Sequence, residues 1–145
     1  MYVLRPSAQG WEVLCLRRAP DDRSPGTWET VHGHVQDGEG PVEAAVRELR
    51  EEAGLDAERF YNVSRVESFY LHRQDVLALI PVFCALVPAG AAVRLSPEHD
   101  AFEWLPAQRA AERFAWPREG RALADALALL GHGDAGGLED VLRVF

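Results

Sequence analysis

Three glutamates, Glu48, Glu51 and Glu52, stand close together inside a helical hydrophobic pattern. At about 100° per residue, their spacing places all three carboxylates on one stripe of a helix. Like charges at this distance disfavour a helix unless something neutralises them. Carboxylates without His or Cys beside them suit a hard cation such as Mg²⁺, which usually takes substrate phosphate oxygens as further ligands. The spacing is compatible with a magnesium and phosphate site, although a solvated glutamate-rich helix face is the commoner explanation of such spacing alone.

The helix that carries these glutamates is predicted from position 41 to position 53. Pro41 follows Gly40, where proline suits the first turn of a helix, and Gly54 ends the pattern. Apolar residues recur between them at intervals of three and four, namely Val42, Ala45, Val46, Leu49 and Ala53. The apolar stripe and the glutamate stripe lie on different faces, so the helix can bury one and present the other.

The remaining elements are predicted from hydrophobic periodicity and turn residues. Alternating or β-branched runs predict extended segments at 11–18, 28–35, 60–73, 76–87 and 101–105, and helical spacing predicts helices at 107–114 and 118–130. The polar pair Gln74 and Asp75 predicts a long antiparallel hairpin, and Pro81 predicts a bulge or an edge position in it. A short amphipathic helical tail at 138–145 should fold back onto the body.

Composition limits the class of protein. With 145 residues, 48% of them hydrophobic and 26% charged, the chain is predicted to form a single domain over 1–145 with one core. The net charge of −8 disfavours a long nucleic acid as partner, but a divalent cation held by carboxylates would still attract a small polyphosphate. All 15 basic residues are arginine, which excludes a lysine nucleophile.

Cysteine usage and the first residues bear on the compartment. Cys15 and Cys84 each lie in an apolar run with no partner at metal-binding spacing, which predicts buried, reduced thiols. The sequence shows neither a secretory leader nor a membrane-spanning run, so we expect a cytoplasmic protein without a membrane partner.

The segment from Gly33 to Leu55, GHVQDGEGPVEAAVRELREEAGL, resembles the Nudix box at every position. So many fixed positions rarely coincide by chance. The box covers 23 residues, and the order and length of the other elements are similar to those of Nudix hydrolases. The branch nearest in character contains the dihydroneopterin triphosphate and dNTP pyrophosphatases. The resemblance implies an α/β (α+β) fold in which a mixed β-sheet is sandwiched between α-helices.

The resemblance also implies a reaction and a set of roles within the box. The expected activity is hydrolysis of a nucleoside diphosphate linked to another moiety, such as an NTP or dNTP, by metal-assisted attack of water on phosphorus. Glu51 and Glu52 are implied as principal ligands of Mg²⁺, for which Mn²⁺ can substitute, and Glu48 as a ligand or the base. Arg47 is expected to keep the glutamates aimed at the metal, and Glu39 to support the loop.

Further site residues lie outside the glutamate helix. Glu98 is implied as another metal ligand or general base, and Arg18 as a contact to substrate phosphate or base; a surface residue and a solvent-facing strand end are the alternatives. His32 replaces a glycine common in the family, so its backbone carbonyl would join the metal, and its imidazole could face substrate or solvent. Trp28 and Tyr70, with Phe69, could stack on a nucleobase or belong to the core.

The sequence is compatible with two alternative functions. The first is a Nudix-fold sensor that binds a nucleotide without cleaving it, although a binding module has no evident need for the full carboxylate set. The second is a dinucleoside polyphosphate hydrolase within the same enzyme class. The expected partner is a small nucleotide-like substrate, and the protein is expected to be a monomer or a homodimer.

Overall fold

The computed structural model describes all residues from Met1 to Phe145. The strands are β1 (Tyr2–Ser7), β2 (Gly10–Arg18), β3 (Trp28–Glu29), β4 (Arg59–Leu71), β5 (Val76–Leu86) and β6 (His99–Pro106). The helices are α1 (Pro41–Ala53), α2 (Ala107–Arg113), α3 (Pro117–Leu130) and α4 (Glu139–Leu142), with a 3₁₀ turn at Gly136–Leu138. None of these helices is long and apolar enough to cross a membrane.

The six strands form one mixed sheet in the order β3-β2-β1-β5-β4, and β6 also pairs with β2. Strand β1 runs parallel to β5 and antiparallel to β2. Because successive side chains of a strand point to opposite faces, β1 and β2 supply apolar residues to both sides of the sheet. The mixed sheet predicted from the sequence resemblance is confirmed.

Each face of the sheet carries its own hydrophobic cluster. One face packs on α1 through Val3, Leu14, Leu16, Leu49 and Ala53. The other face packs on α2 and α3 through Leu4, Val13, Cys15, Ala110, Leu123 and Ala126. Helices therefore cover the sheet on both sides, as predicted, and the glutamate helix α1 lies on the opposite face from α2 and α3.

Helix α1 begins and ends where its local signals predict. Pro41 occupies the first turn, and the Glu43 carboxylate accepts a hydrogen bond of 2.8 Å from the Gly40 backbone N–H. Gly54 ends the helix in the left-handed conformation with φ 65°, which glycine adopts without steric cost. Leu49 and Ala53 anchor the buried face. The predicted helix 41–53 is confirmed.

The predicted hairpin is formed by β4 and β5, and its register shifts in the middle. Pairing is regular up to Asn62 opposite Phe83 and resumes at Val66 opposite Pro81, which leaves extra residues in β4. Ser64 within this bulge has φ 51°. The irregularity therefore adjoins Pro81 but lies in the partner strand. Beyond it, β4 and β5 pair only with each other and project past the end of β1.

Several elements differ from prediction in length. Strand β3 contains only Trp28 and Glu29, and positions 30–40 form a loop, because this segment approaches α1 instead of pairing with a neighbour. Strand β6 starts at His99, two residues before the predicted start. In the last residues, the Phe145 ring stacks on Phe60 with centroids 5.4 Å apart.

Both cysteines are free and fully buried. Burial raises the pKa of the Cys15 thiol and of the Cys84 thiol to about 12. Neither thiol ionises near neutral pH, which confirms the prediction of inert, reduced cysteines.

Candidate functional site

Glu52 is the one member of the glutamate trio that is buried in the protein. The residue is 4% exposed, and its Oε2 atom has no hydrogen-bond partner. Burial raises the pKa of the Glu52 carboxyl to about 8, and nearby carboxylates add to this rise, namely those of Glu48, Glu29 and Glu98; a hydrogen bond from the His32 backbone opposes it. A cation beside this carboxylate would favour its charged form and lower this pKa.

Glu48 lies against the backbone of the loop that precedes α1. A Cβ atom added to Gly33 would stand 2.0 Å from Glu48 Cδ, so only glycine leaves room for this side chain. The His34 backbone N–H donates a hydrogen bond of 3.3 Å to Glu48 Oε1. The loop and the helix thus approach each other at the carboxylate itself.

Arg47 joins this loop to two of the three glutamates. Its Nε and Nη2 atoms donate to the Glu39 carboxylate at 2.9 and 3.0 Å, and Nη2 also donates to the His34 carbonyl oxygen at 2.9 Å. Its Nη1 atom donates to Glu48 at 2.8 Å and to Glu51 at 2.9 Å. The planar guanidinium therefore sets the directions of Glu48 and Glu51 and supports the loop through Glu39.

The glutamates fit a divalent cation by chemistry, although they do not form a closed ligand cluster. No group of three or more His, Cys, Asp or Glu side chains is arranged to hold a metal ion, because Glu48 and Glu51 turn toward Arg47 while Glu52 points inward. The unpartnered Oε2 of Glu52, its raised pKa and the hard oxygen donors are nonetheless what a divalent cation would satisfy. Side-chain rotation of Glu48 and Glu51 would complete the set.

Arg18 and Glu98 are brought together beside these glutamates. Arg18 Nη1 lies 2.8 Å from Asp22 and 3.3 Å from Glu98, and its Nε contacts Glu29. Its side chain is 19% exposed, so Arg18 is not a solvent-facing strand end. Its guanidinium is committed to three carboxylates and thereby tethers the Glu98 loop. The Glu98 side chain is 61% exposed and remains accessible.

The His32 imidazole contacts two buried carboxylates, and its side chain is 25% exposed. Its Nε2 lies 3.2 Å from Glu119 Oε1, and its Nδ1 lies 3.8 Å from Glu29 Oε2. Glu29 in turn lies 3.4 Å from the buried His99 ring. The residue also lines the cleft described below, so the expectation that its imidazole could face substrate or solvent stays a prediction.

Glu119 is a buried carboxylate that the sequence reasoning missed. It is 3% exposed, and neither of its oxygens has a hydrogen-bond partner of good geometry. One signal was present in the sequence: Glu119 precedes Ala122 and Ala126 by three and seven residues, so it stands on the apolar face of α3. A glutamate on such a face is buried, so its carboxylate needs a polar or charged partner. Here the neighbouring group is the His32 ring.

A cleft of about 270 Å³ opens between α1, the loop that follows β3 and the outer part of the hairpin. Its walls are mostly apolar: Pro41, Ala44 and Ala45 from α1, and Phe69, Ala78 and Ile80 from the hairpin. Glu48 is the only acidic residue that lines it. A cleft with apolar walls and one polar end suits a ligand with an apolar ring and a polar group.

Trp28 and Tyr70 do not line this cleft. The Trp28 ring lies beneath Arg113, 4.5 Å away, on the α2 face of the sheet. The Tyr70 hydroxyl donates to Asp75 at 2.7 Å on the outer side of the hairpin. Phe69, one residue before Tyr70, points to the other side and lines the cleft, since alternate residues of a strand face opposite ways.

Comparison with known proteins identifies the family. Residues 1–126 match the family model described as NUDIX domain. The chain therefore belongs to the NUDIX family, and the resemblance seen in the sequence is confirmed.

Two curated relatives illustrate the sequence similarity. One is an octanoyltransferase of Myxococcus xanthus, 39% identical over 108 residues that make up 70% of this chain and 28% of the relative. The other is the asymmetrical bis(5'-nucleosyl)-tetraphosphatase of Mus musculus, 34% identical over 87 residues that make up 59% of each chain. The chain thus spans less than two thirds of the length of these relatives.

Two solved structures share the fold over most of their length. The Ap4A hydrolase binary complex of C. elegans superposes with a TM-score of 0.75 at 25% identity, covering 90% of this chain and 94% of the other. The dihydroneopterin triphosphate pyrophosphohydrolase of E. coli superposes with a TM-score of 0.69 at 27% identity, covering 84% and 89%. Both comparisons include nearly every element described above.

The raised pKa of Glu52 makes a prediction about stability in the absence of metal. The folded-state pKa of about 8 exceeds the ordinary 4.5, so protonated Glu52 favours folding fully below pH 4.5, and this contribution is lost as the pH rises to about 8. At about 1.4 kcal/mol per unit of pKa difference, the free energy of unfolding should fall by a few kcal/mol. Urea titrations in the presence of a chelator at several pH values measure this free energy of unfolding. Glu52→Gln should remove most of this pH dependence, and an equal slope in both proteins would contradict the burial of this charge.

Proposed function

We propose that this protein is a metal-dependent Nudix hydrolase that cleaves a phosphoric anhydride bond in an NTP-like or dNTP-like substrate. The observation that carries the proposal is the buried carboxylate of Glu52, whose Oε2 atom has no hydrogen-bond partner, on the helix whose Glu48 lines an apolar cleft. Glu52 would be satisfied by a divalent cation, whose charge would attract the phosphates of a nucleotide to the end of the cleft.

The residues that would hold Mg²⁺, or Mn²⁺ in its place, are Glu48, Glu51 and Glu52, with Glu98 and the His32 carbonyl as further donors. When bound, the cation supplies charge neutralisation for the phosphate oxygens and makes water more acidic. Arg47 keeps Glu48 and Glu51 within reach of the same place through its hydrogen bonds at 2.8 and 2.9 Å.

The chemistry left to the chain is proton transfer and positioning. Water attacks one phosphorus, the bond from that phosphorus to the bridging oxygen breaks, and a carboxylate accepts the proton of the water. Glu48 and Glu98 are the candidate acceptors. Glu48 is held at the cleft by Arg47 and the His34 amide, whereas Glu98 is exposed and tethered only through Arg18.

The apolar cleft would hold the nucleoside. Phe69 offers a ring face for stacking, and aromatic stacking tolerates any base because every base has a π-face. Pro41, Ala44 and Ala45 form the opposite wall and contribute apolar contact without hydrogen bonds. The cleft therefore predicts weak discrimination between bases and stronger dependence on the phosphates.

A second candidate is hydrolysis of dinucleoside polyphosphates. The similarity to the mouse bis(5'-nucleosyl)-tetraphosphatase and to the C. elegans Ap4A hydrolase favours it. The two candidate reactions use the same carboxylates. Their substrates differ in the group that lies beyond the cleaved bond.

A substrate panel tests the function. Nucleoside triphosphates, dinucleoside polyphosphates, nucleotide sugars and capped RNA are incubated with Mg²⁺, with Mn²⁺ and with a chelator, and released phosphate or pyrophosphate is measured. We expect turnover of at least one nucleotide class with metal and none with chelator. If every compound stays intact while calorimetry records tight nucleotide binding, the protein is a sensor and the proposal fails.

A further inference from the structure

Arg118, at the start of α3, differs from the other arginines near the site. Arg18 and Arg47 are committed to carboxylates. Arg118 forms neither a salt bridge nor a side-chain hydrogen bond, and its guanidinium lies over two aromatic rings, 4.7 Å from the centroid of Phe69 and 4.9 Å from that of Trp116. Its charge is therefore positioned by the rings but not neutralised.

Arg118 lines a small cavity that adjoins the cleft. A small cavity of about 30 Å³ is lined by Arg118 and Glu119 and shares Met1, His32, Ile80 and Pro81 with the main cleft. Phe69 belongs to the main cleft and also contacts Arg118. Glu48 lines the main cleft and Arg118 lines the small cavity, so the glutamate helix and Arg118 border two adjoining cavities.

The contacts of Arg118 suit recognition of an anion. A guanidinium carries its five N–H groups in its own plane, whereas aromatic rings contact its face. Ring contacts therefore leave the N–H edge free to donate two parallel hydrogen bonds to a phosphate. Because the rings already restrict the side chain, less conformational entropy is lost when it binds.

The charges around the cleft strengthen this assignment. Five acidic side chains face the site, namely Glu29, Glu48, Glu52, Glu98 and Glu119, and its other two arginines are occupied. The remaining basic groups that line the cleft are the His32 and His34 rings and the Met1 amino group, which donates to the Val31 carbonyl oxygen at 2.7 Å. Glu67, which also lines the small cavity, is paired with Arg65 at 2.6 Å. Glu119 points toward His32. Arg118 is thus the arginine of this region that remains available to a polyphosphate.

We propose that Arg118 binds a phosphate group of the nucleotide that α1 does not hold, and so sets the preferred length of the phosphate chain. This inference rests on the proposed function, because it assigns a second phosphate contact beside the same cleft. Trp116 is 46% exposed, and its ring contacts the guanidinium and helps to hold it in place.

The test compares Arg118→Gln with Arg121→Gln, a matched change on the same helix at an exposed arginine without a salt bridge. The substrates are the diphosphate, triphosphate and tetraphosphate of one nucleoside. We expect Arg118→Gln to raise KM about tenfold or more for the longest hydrolysed chain, with kcat within about twofold and little change for the shortest. Arg118→Lys should restore part of the affinity, and Arg121→Gln should match the unmodified protein.

Several outcomes would overturn the proposal. An equal rise in KM for every chain length, or a rise that depends on the base when the phosphates are kept constant, would assign Arg118 to the base or to the fold. No change in KM would remove it from the site. If the unmodified protein hydrolyses no nucleotide, the proposed function fails by itself, and calorimetry with inorganic tripolyphosphate still tests the contact. A weaker Kd for Arg118→Gln than for Arg121→Gln supports it, and equal values refute it.

Discussion

Glu52→Gln should lower kcat by several orders of magnitude while the protein stays folded. Glutamine keeps the shape of the side chain but removes the negative charge from a buried position whose Oε2 has no protein partner. If that oxygen holds the catalytic cation, its loss removes the charge neutralisation on which phosphoryl transfer depends. Because the pKa of this carboxyl is raised from 4.5 to about 8, Glu52→Gln should stabilise the metal-free fold increasingly between these two pH values and by a constant amount above them.

The measurement is kcat at saturating metal and substrate, together with a urea titration of each variant. Glu112→Gln provides a control, because Glu112 is an exposed glutamate on α2 outside the site. Glu98→Gln gives the comparison within the site, and a loss well below that of Glu52→Gln would make Glu98 a supporting residue. Activity of Glu52→Gln close to that of the unmodified protein would refute its role.

Gly33→Ala should lower kcat about a hundredfold, an effect typical when a reacting group is displaced by about 1 Å. The backbone of Gly33 does not require glycine, since its φ is not positive. The added Cβ would instead stand 2.0 Å from Glu48 Cδ and 2.1 Å from Glu48 Oε1, so either the loop or the carboxylate must move. The displaced group is the carboxylate that lines the cleft.

The matched control is Gly90→Ala, where an added Cβ meets nothing within 4 Å and φ is not positive. It should keep full activity and gain slightly in stability, since alanine restricts the unfolded chain. Calorimetric metal titration of Gly33→Ala should show weaker binding, which separates a moved carboxylate from a general loss of fold. Unchanged activity and metal affinity would show that the contact between Gly33 and Glu48 is dispensable.

The most accurate predictions concerned features whose signals lie close together in the chain. Helix α1 was predicted to its ends because proline, apolar spacing and a terminal glycine all act within one helix. The hairpin followed from two apolar runs and a polar turn. Its bulge was attributed to Pro81, whereas the extra residues lie in β4, because proline in one strand does not specify which strand absorbs the irregularity.

The orientation of side chains was harder to predict from the sequence. The pattern around Phe69 and Tyr70 is equally apolar on both sides of β4, so periodicity did not show which ring faces the cleft. For Trp28 the sequence left open a nucleobase contact or a place in the core, and the residue packs against the core cluster on the other face of the sheet, beside Arg113 of α2.

By itself, the sequence determined the family, the glutamate helix and the acidic donors that suit a hard cation, because these depend on residue type and on spacing within a single element. Only the tertiary structure decided that Glu52 is buried with its Oε2 atom unpartnered, that Glu119 meets His32, and that Arg118 forms no ion pair beside the cleft. These properties arise where α3, β4 and the loop before α1 come together. Burial and the field of neighbouring charges depend on distances in space, which the spacing of residues along the chain does not contain.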